Sequence, residues 1–204
     1  MGKEVIALQE AVRLDKKKTI VLVAQRLFSR FGLMKTTVDE IAKLARIGKG
    51  TIYYYFRSKE AIFEEVTNKE FAFLKEKIQE AIQKEKTPQR KLRAFVLTKM
   101  LHLKKLANYH STLYDDYLEH YAFVEKARRR NVDEEMAIVQ SILDDGVGKG
   151  IFFVKDIRLT ALGIVSALKG LETPWTFESD VPDLERSIDV LLNILFRGIE
   201  TRSA

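Results

Sequence analysis

The sequence predicts an all-α chain of about nine helices: an N-terminal three-helix helix-turn-helix domain followed by a larger helical domain. Three observations carry that prediction. Apolar residues recur with helical period along the chain, and no convincing strand alternation appears. Residues 36–56 read TTVDEIAKLARIGKGTIYYYF, two short helices around a tight turn. Residues 190–196 read VLLNILF, apolar almost all round rather than along one stripe.

The elements follow in chain order. Residues 1–14 are weakly amphipathic and fit either a mobile lead-in or a short extra helix. Asp15 to Phe31 forms the first full helix, with Val21, Ala24, Leu27, Phe28 and Phe31 on one face and Gly32 as its stop. Thr37 with Glu40 three residues later is a capping box that starts the second, where Ile41, Leu44 and Ala45 share a face. Lys49, Gly50 and Thr51 open the third. Ser58 caps a long fourth helix bearing Phe63, Val66, Phe71, Leu74, Ile78 and Ile82. Pro88 restarts the chain at a first helical position, where its missing N–H costs nothing. Leu92, Phe95, Val96, Leu103 and Leu106 mark the fifth. A shorter aromatic segment runs from Tyr109 to Phe123, and a long helix then reaches about Leu143 and the glycines 146, 148 and 150. Asp156 caps a helix carrying Leu159, Leu162, Val165 and Leu168 to Gly170. A loop, Thr173 to Pro182, leads to the last helix, Asp183 to about Glu200. The domain division is placed at 1–60 and 61–204.

Charge is distributed unevenly. Residues 1–60 hold 13 Lys+Arg against 6 Asp+Glu, whereas residues 61–204 hold 22 against 23. The excess positive charge therefore travels with the helix-turn-helix, the footprint of a nucleic-acid binder rather than of an evenly solvated surface. Lys16, Lys17 and Lys18 crowd a helix start, where the helix dipole disfavours cations, an arrangement that makes sense beside phosphates. The chain has no Cys, which excludes disulfides and thiolate zinc sites. No apolar run approaches the ~20 residues of a membrane span. No signal-peptide core is present, and a cytoplasmic location is expected.

The helix-turn-helix indicates duplex DNA as partner, with the second helix entering the major groove. Lys49 is suited to donate to guanine O6 and N7, or else to a phosphate. The Thr51 methyl suits thymine and its hydroxyl a base or phosphate; Gly50 permits close backbone approach. Ile52 and Phe56, four apart, belong to the small core. Thr37 is at least a cap. Arg46, Lys16 and Lys18 are weaker phosphate candidates.

At these residues the chain resembles the TetR family of bacterial transcriptional regulators. The resemblance covers roughly residues 15–65, including AQRLFSRFG, TTVDEIAKLA, KGTIYYYF and SKEAIF; beyond residue 66 it is one of architecture. One departure lies at Arg46 and Gly48, where the family more often has Gly and Ser. The resemblance implies an all-helical homodimer with a ligand-binding C-terminal domain, and a repressor that leaves a palindromic operator when a small molecule binds. It also implies phosphate contacts from Thr37, from Tyr53 and Tyr55 with Tyr54 beside them, and from Lys59.

Apart from the resemblance, the all-round apolar last helix suggests pairing through the last two helices as a four-helix bundle. Leu162, Val165, Leu168, Leu191, Leu192, Leu195 and Phe196 would form the interface, unless that helix is simply central in its own core. Phe95, Met100, Leu103, Tyr109, Leu113, Tyr114, Tyr117 and Tyr121 are candidates to line an apolar effector pocket, against ordinary core packing. A lipophilic or amphipathic effector, such as a fatty-acyl compound, suits them. Arg128, Arg129 and Arg130 suit an anionic head group or a solvated face. His102, His110 and His120 lack metal spacing, so no metal is expected. No cofactor is expected either. Neither a Gly-rich phosphate loop nor G-x-S-x-G is present, and the carboxylate pairs 115–116, 134–135 and 144–145 each point to different faces, so no catalytic residue is assigned. A constitutive or architectural DNA binder without an effector is the competing reading.

Overall fold

The computed structural model describes residues 2–103, 105–108, 111, 121–177 and 183–199, with side chains described over 15–170 and 183–199 of that set. Among the described residues eight helices have defined bounds: α1 Gly2–Lys35, α2 Val38–Ala45, α3 Lys49–Tyr55, α4 Lys59–Gln83, α5 Pro88–Leu103, α6 Ala122–Gly148, α7 Ile157–Phe177 and α8 Leu184–Ile199. Ala107, Asn108 and Ser111 are helical as well.

Several boundaries differ from those predicted. The lead-in is helical from Gly2 and continuous with α1. Gly32 does break the regular path, with φ 76° and ψ 168°. Phe31 points outward, while Ile20, Val21, Ala24, Leu27, Phe28 and Leu33 are buried. α6 runs through Gly146 to Gly148 because the missing side chain makes room for a neighbour: a Cβ at Gly146 would lie 2.1 Å from Phe152 Cδ2. α7 likewise continues through Gly170 to Phe177, so the predicted loop begins later; residues 178–182 lie outside the described set. Predicted caps at Ser58 and Asp156 are present: Ser58 Oγ accepts from the Ala61 N–H at 3.2 Å and Asp156 Oδ1 from the Leu159 N–H at 2.8 Å.

Cα packing divides the chain into two compact units, Met1–Phe71 with Ala107–Thr112, and Ala72–Leu106 with Leu113–Ala204. The first unit thus takes in the start of α4, because Ile62, Phe63 and Val66 are core residues and Phe63 meets Phe28 edge-on, centroids 5.1 Å apart. A buried polar cluster joins distant parts of this unit. Asn108 Nδ2 lies 2.8 Å from both Glu70 Oε1 and Ser29 Oγ, and Gln25 Nε2 donates to Glu70 Oε1 at 2.8 Å.

In the second unit α5 packs against α6, α7 and α8, and α6 against α7. Leu92, Phe95, Val96, Val124, Val139, Leu143, Val165 and Ile188 fill its core. Lys99 and Glu135 are an ion pair buried within it. Arg93 Nε donates to Asp189 Oδ1 at 2.6 Å, fastening α5 to α8 and holding the Asp189 carboxyl below its usual range. Among the described residues no helix is long and apolar enough to cross a membrane.

Candidate nucleic-acid interface

α2 begins as the sequence requires. Thr37 is extended at φ −113° and ψ 154°, its Oγ1 accepts from the Glu40 N–H at 3.2 Å, and Glu40 accepts from the Thr37 N–H at 2.8 Å. This reciprocal pair satisfies two N–H groups that a helix start leaves open. The Thr37 donors hold the Glu40 carboxyl below its ordinary range. Val38, Ile41, Ala42 and Ala45 are buried, the i, i+3, i+4, i+7 face of a helix. Leu44 is 60% exposed, so it does not share the core face expected for it. α2 ends at Arg46 in the left-handed region, φ 55° and ψ 39°, its N–H directed back to Ala42 and Lys43. A side chain there is strained where glycine is not.

α3 follows after Gly48, which is extended and offers no side-chain cap. Ile52 and Phe56 are buried, as their spacing indicates. Lys49, Gly50, Tyr53 and Tyr54 of α3 face outward. Tyr53 is 47% and Tyr54 68% exposed, Tyr55 is half-buried, and the Tyr54 and Tyr55 rings meet edge-on at 5.2 Å. Gly50 has nothing within 4 Å of where a Cβ would sit, so its surface is open. Thr51 is half-buried and Thr37 exposed. The candidates Thr37, Lys49, Gly50, Thr51, Tyr53, Tyr54 and Tyr55 are therefore carried by two consecutive short helices.

The basic residues are unequal. Lys49 Nζ sits 2.9 Å from Asp39 of α2, and this carboxylate raises the pKa of the ammonium. Asp39 is not among the site residues the sequence suggests, since ten positions separate it from Lys49 and a carboxylate is no obvious DNA ligand. Lys59, in the first turn of α4, reaches the Met34 carbonyl at 3.4 Å. Lys17 pairs with Glu65 at 2.8 Å and lies 5.5 Å from the centroid of the Phe56 ring, so it serves the fold. Lys16, Lys18 and Arg46 are exposed.

The second unit disposes of its candidates differently. Phe95, Met100 and Leu103 are buried and packed. Tyr121 is half-buried, whereas Tyr109, Leu113, Tyr114, Tyr117, His110 and His120 lie outside the described residues. Arg129 pairs with Glu125 along one helix face, and Arg128 and Arg130 are half-buried. Val165, Leu168 and Leu192 already fill the core of their own chain, and Phe196 stacks on Phe152 at 6.0 Å, so these four are not the free surface expected of a pairing face. Of the other predicted residues Leu162 is exposed and Leu191 and Leu195 are half-buried, and Leu159, Val190 and Ile194, which were not among those predicted, also face outward. Between α7 and α8 they adjoin a trough of about 210 Å³ lined by Thr160, Gly163, Ile164, Ala167, Leu168, Leu191, Leu192 and Leu195.

Comparison with known proteins agrees with this geometry. Residues 20–66 match the family model described as bacterial regulatory proteins, tetR family. Over most of its length the chain is similar to the HTH-type transcriptional regulator YhgD of Bacillus subtilis, at 28% identity covering 91% of this chain and 97% of the relative. It is also similar to the fatty acid metabolism regulator protein of Bacillus subtilis, at 28% identity covering 92% of this chain and 97% of the relative. Among solved structures, a transcriptional regulator from Cytophaga hutchinsonii superposes with TM-score 0.76 at 28% identity, covering 90% of this chain and 98% of that one.

The left-handed Arg46 yields a prediction. Arg46→Gly relieves its strain while adding freedom to the unfolded chain, for a net gain of about 0.5–1 kcal/mol. Denaturant melts of the variant should show a higher midpoint at unchanged slope.

Proposed function

The chain is a transcriptional regulator of the TetR family, and on that premise we propose that it is a homodimeric repressor that binds a palindromic operator and releases it on binding a lipophilic effector. One observation carries the reading: the reading helix buries Ile52, with Phe56 buried just past its end, and presents Lys49, Thr51, Tyr53 and Tyr54 from a module that holds the chain's excess positive charge. Donors and aromatic hydroxyls on a helix fixed from behind suit a major groove and its flanking phosphates. Thr37 and Lys59 fit backbone contacts, Thr51 and Lys49 base contacts. The functional division follows, with residues 1–60 reading DNA and 61–204 serving ligand and partner.

Pairing is supported by α7 and α8. Leu159 and Ile194 are 64% and 68% exposed, beside small residues Gly163 and Ala167 that allow two backbones to approach closely. A second copy of the same two helices is the simplest cover, since a two-fold axis makes such a face self-complementary. A fatty-acyl compound is the favoured effector class, supported by similarity to the fatty acid metabolism regulator and by the aromatic content of 95–123.

The decisive experiment is selection of genomic fragments by the purified protein, followed by footprinting. A palindromic footprint is expected, and failure to retain any duplex at low ionic strength would overturn the proposal. Lys59→Ala should weaken all duplexes alike and reduce the log–log salt slope by about 0.9 for each phosphate that Lys59 neutralises in the complex. Thr51→Ala should change base preference at one position per half-site. Light scattering should give twice the chain mass, and Ile194→Glu should give a folded monomer with a single half-site footprint. Long-chain acyl compounds should dissociate the complex in a gel-shift titration; a protein that stays bound through lipophilic ligands of every class is a constitutive binder.

A further inference from the structure

The pairing of Lys49 with Asp39 has no clear use in holding the fold. Both side chains are substantially exposed, 50% and 69%, and exposed lysine–carboxylate pairs contribute little to stability. Asp39 already sits in the first turn of α2, where a carboxylate is favourable without any lysine. Yet its two oxygens each lie 2.9 Å from Lys49 Nζ, at the start of the reading helix and next to the open surface of Gly50. A negative charge on a surface that must approach phosphates is repelled unless the groove gives it a donor.

We propose that Asp39 is a specificity-determining residue of the DNA interface, acting with Lys49 as one donor–acceptor unit that reads a G·C pair in the major groove. The inference rests on the reading of α3 as the recognition helix. A carboxylate only accepts, and an ammonium only donates. Guanine presents two acceptors, O6 and N7, and cytosine presents the N4 amino donor. O6 and N4 are joined by the base pair's own hydrogen bond, so they stand about 2.9 Å apart. That matches the spacing of Lys49 Nζ and the Asp39 oxygens. With one N–H given to Asp39, the ammonium keeps two for O6 and N7, and Asp39 keeps lone pairs for N4. An A·T pair has the same donor–acceptor spacing, adenine N6 beside thymine O4, but serves the unit less well: it places a single acceptor on either side of the N6 donor, O4 flanked by a methyl group and N7, where guanine sets O6 and N7 side by side for the two remaining N–H groups of the ammonium. A phosphate serves it worst, because Asp39 is then repelled. The carboxylate thereby restrains Lys49 from settling on the backbone in the wrong register.

The test is selection from a random duplex library at matched occupancy with wild type, Asp39→Asn, Asp39→Ser and Lys49→Ala, with thermal melts to verify folding. Asn and Ser both suit the first turn of a helix, so at least one variant should melt as wild type does. Wild type should fix a G·C pair at one position per half-site. The Asp39 variants should lower that preference on the order of tenfold. They should leave other positions unaltered and steepen the salt slope by up to about 0.9, as Lys49 becomes free to take a phosphate. Lys49→Ala should erase the same position. An unchanged site for folded Asp39 variants, a loss spread evenly over all positions, or a wild-type site without a fixed G·C pair overturns the role of Asp39 while leaving α3 as the recognition helix. Recovery of no site by wild type overturns the reading of α3 itself.

Discussion

A seven-residue helix does not persist in water by itself, because nucleation fixes several residues for each hydrogen bond gained. α3 is such a helix. It has no side-chain cap at Gly48, and its outward residues include three tyrosines, none of which is a strong helix former. Burial of Ile52 and Phe56 is therefore the constraint on which the interface depends. Those two side chains join the other buried residues of their unit, among them Phe28 and Phe63, Ile41 and Ala45 of α2, and Ile20 of α1. The outward face is free to carry chemistry because it is not needed for stability. Its Gly50, Tyr53 and Tyr54 are weak helix formers, and Lys49 is a cation at a helix start, where the dipole disfavours it; all four suit a groove.

Local rules make the front of this unit legible. Thr37 and Glu40 stand three apart, and the reciprocal cap that their spacing requires is present. The i, i+4 pair Ile52 and Phe56 is equally readable. Leu44 is misleading because its hydrophobicity outweighs its angle. The true face begins at Val38 and passes through Ala42, a smaller residue that attracts less notice. Gly146 and Gly170 look like stops, although a helix continues through glycine wherever packing rewards it. For Gly146 the reward is contact with the Phe152 ring, which lies six residues on and cannot be paired with it by periodicity.

What escapes the sequence altogether is polar pairing across distance. Asp39 with Lys49, Glu70 with Asn108 and Lys99 with Glu135 are all charged or amide residues, types that ordinarily face solvent. Only the fold reveals that the last two pairs are buried. The final helix shows the converse error. VLLNILF looks apolar all round, but its residues divide: Leu192 joins Ile188 in the chain's own core, while Val190 and Ile194 face out. The apolar pattern therefore splits between the chain's own core and an outward face.

The buried pairs bear on how the two units stay well defined. An ion pair in a helical core adds little stability over apolar residues of equal volume, since desolvation offsets much of the attraction. Removing one partner is another matter, because it strands a charge in the interior. Lys99 and Glu135 thus favour one register of α5 against α6; a slip of one turn, about 5.4 Å, would separate the pair. Leu92, Phe95 and Val96 on the same face of α5 offer no such discrimination, because one apolar contact replaces another at small cost. The Glu70 carboxylate acts in the same way in the first unit. It accepts from Gln25 of α1 and from Asn108, a residue separated from it by 38 positions, and so ties the helical residues near 108 to the unit that holds α3. Apolar burial supplies the cohesion of both units, and a few buried polar pairs choose among the arrangements that cohesion alone would permit.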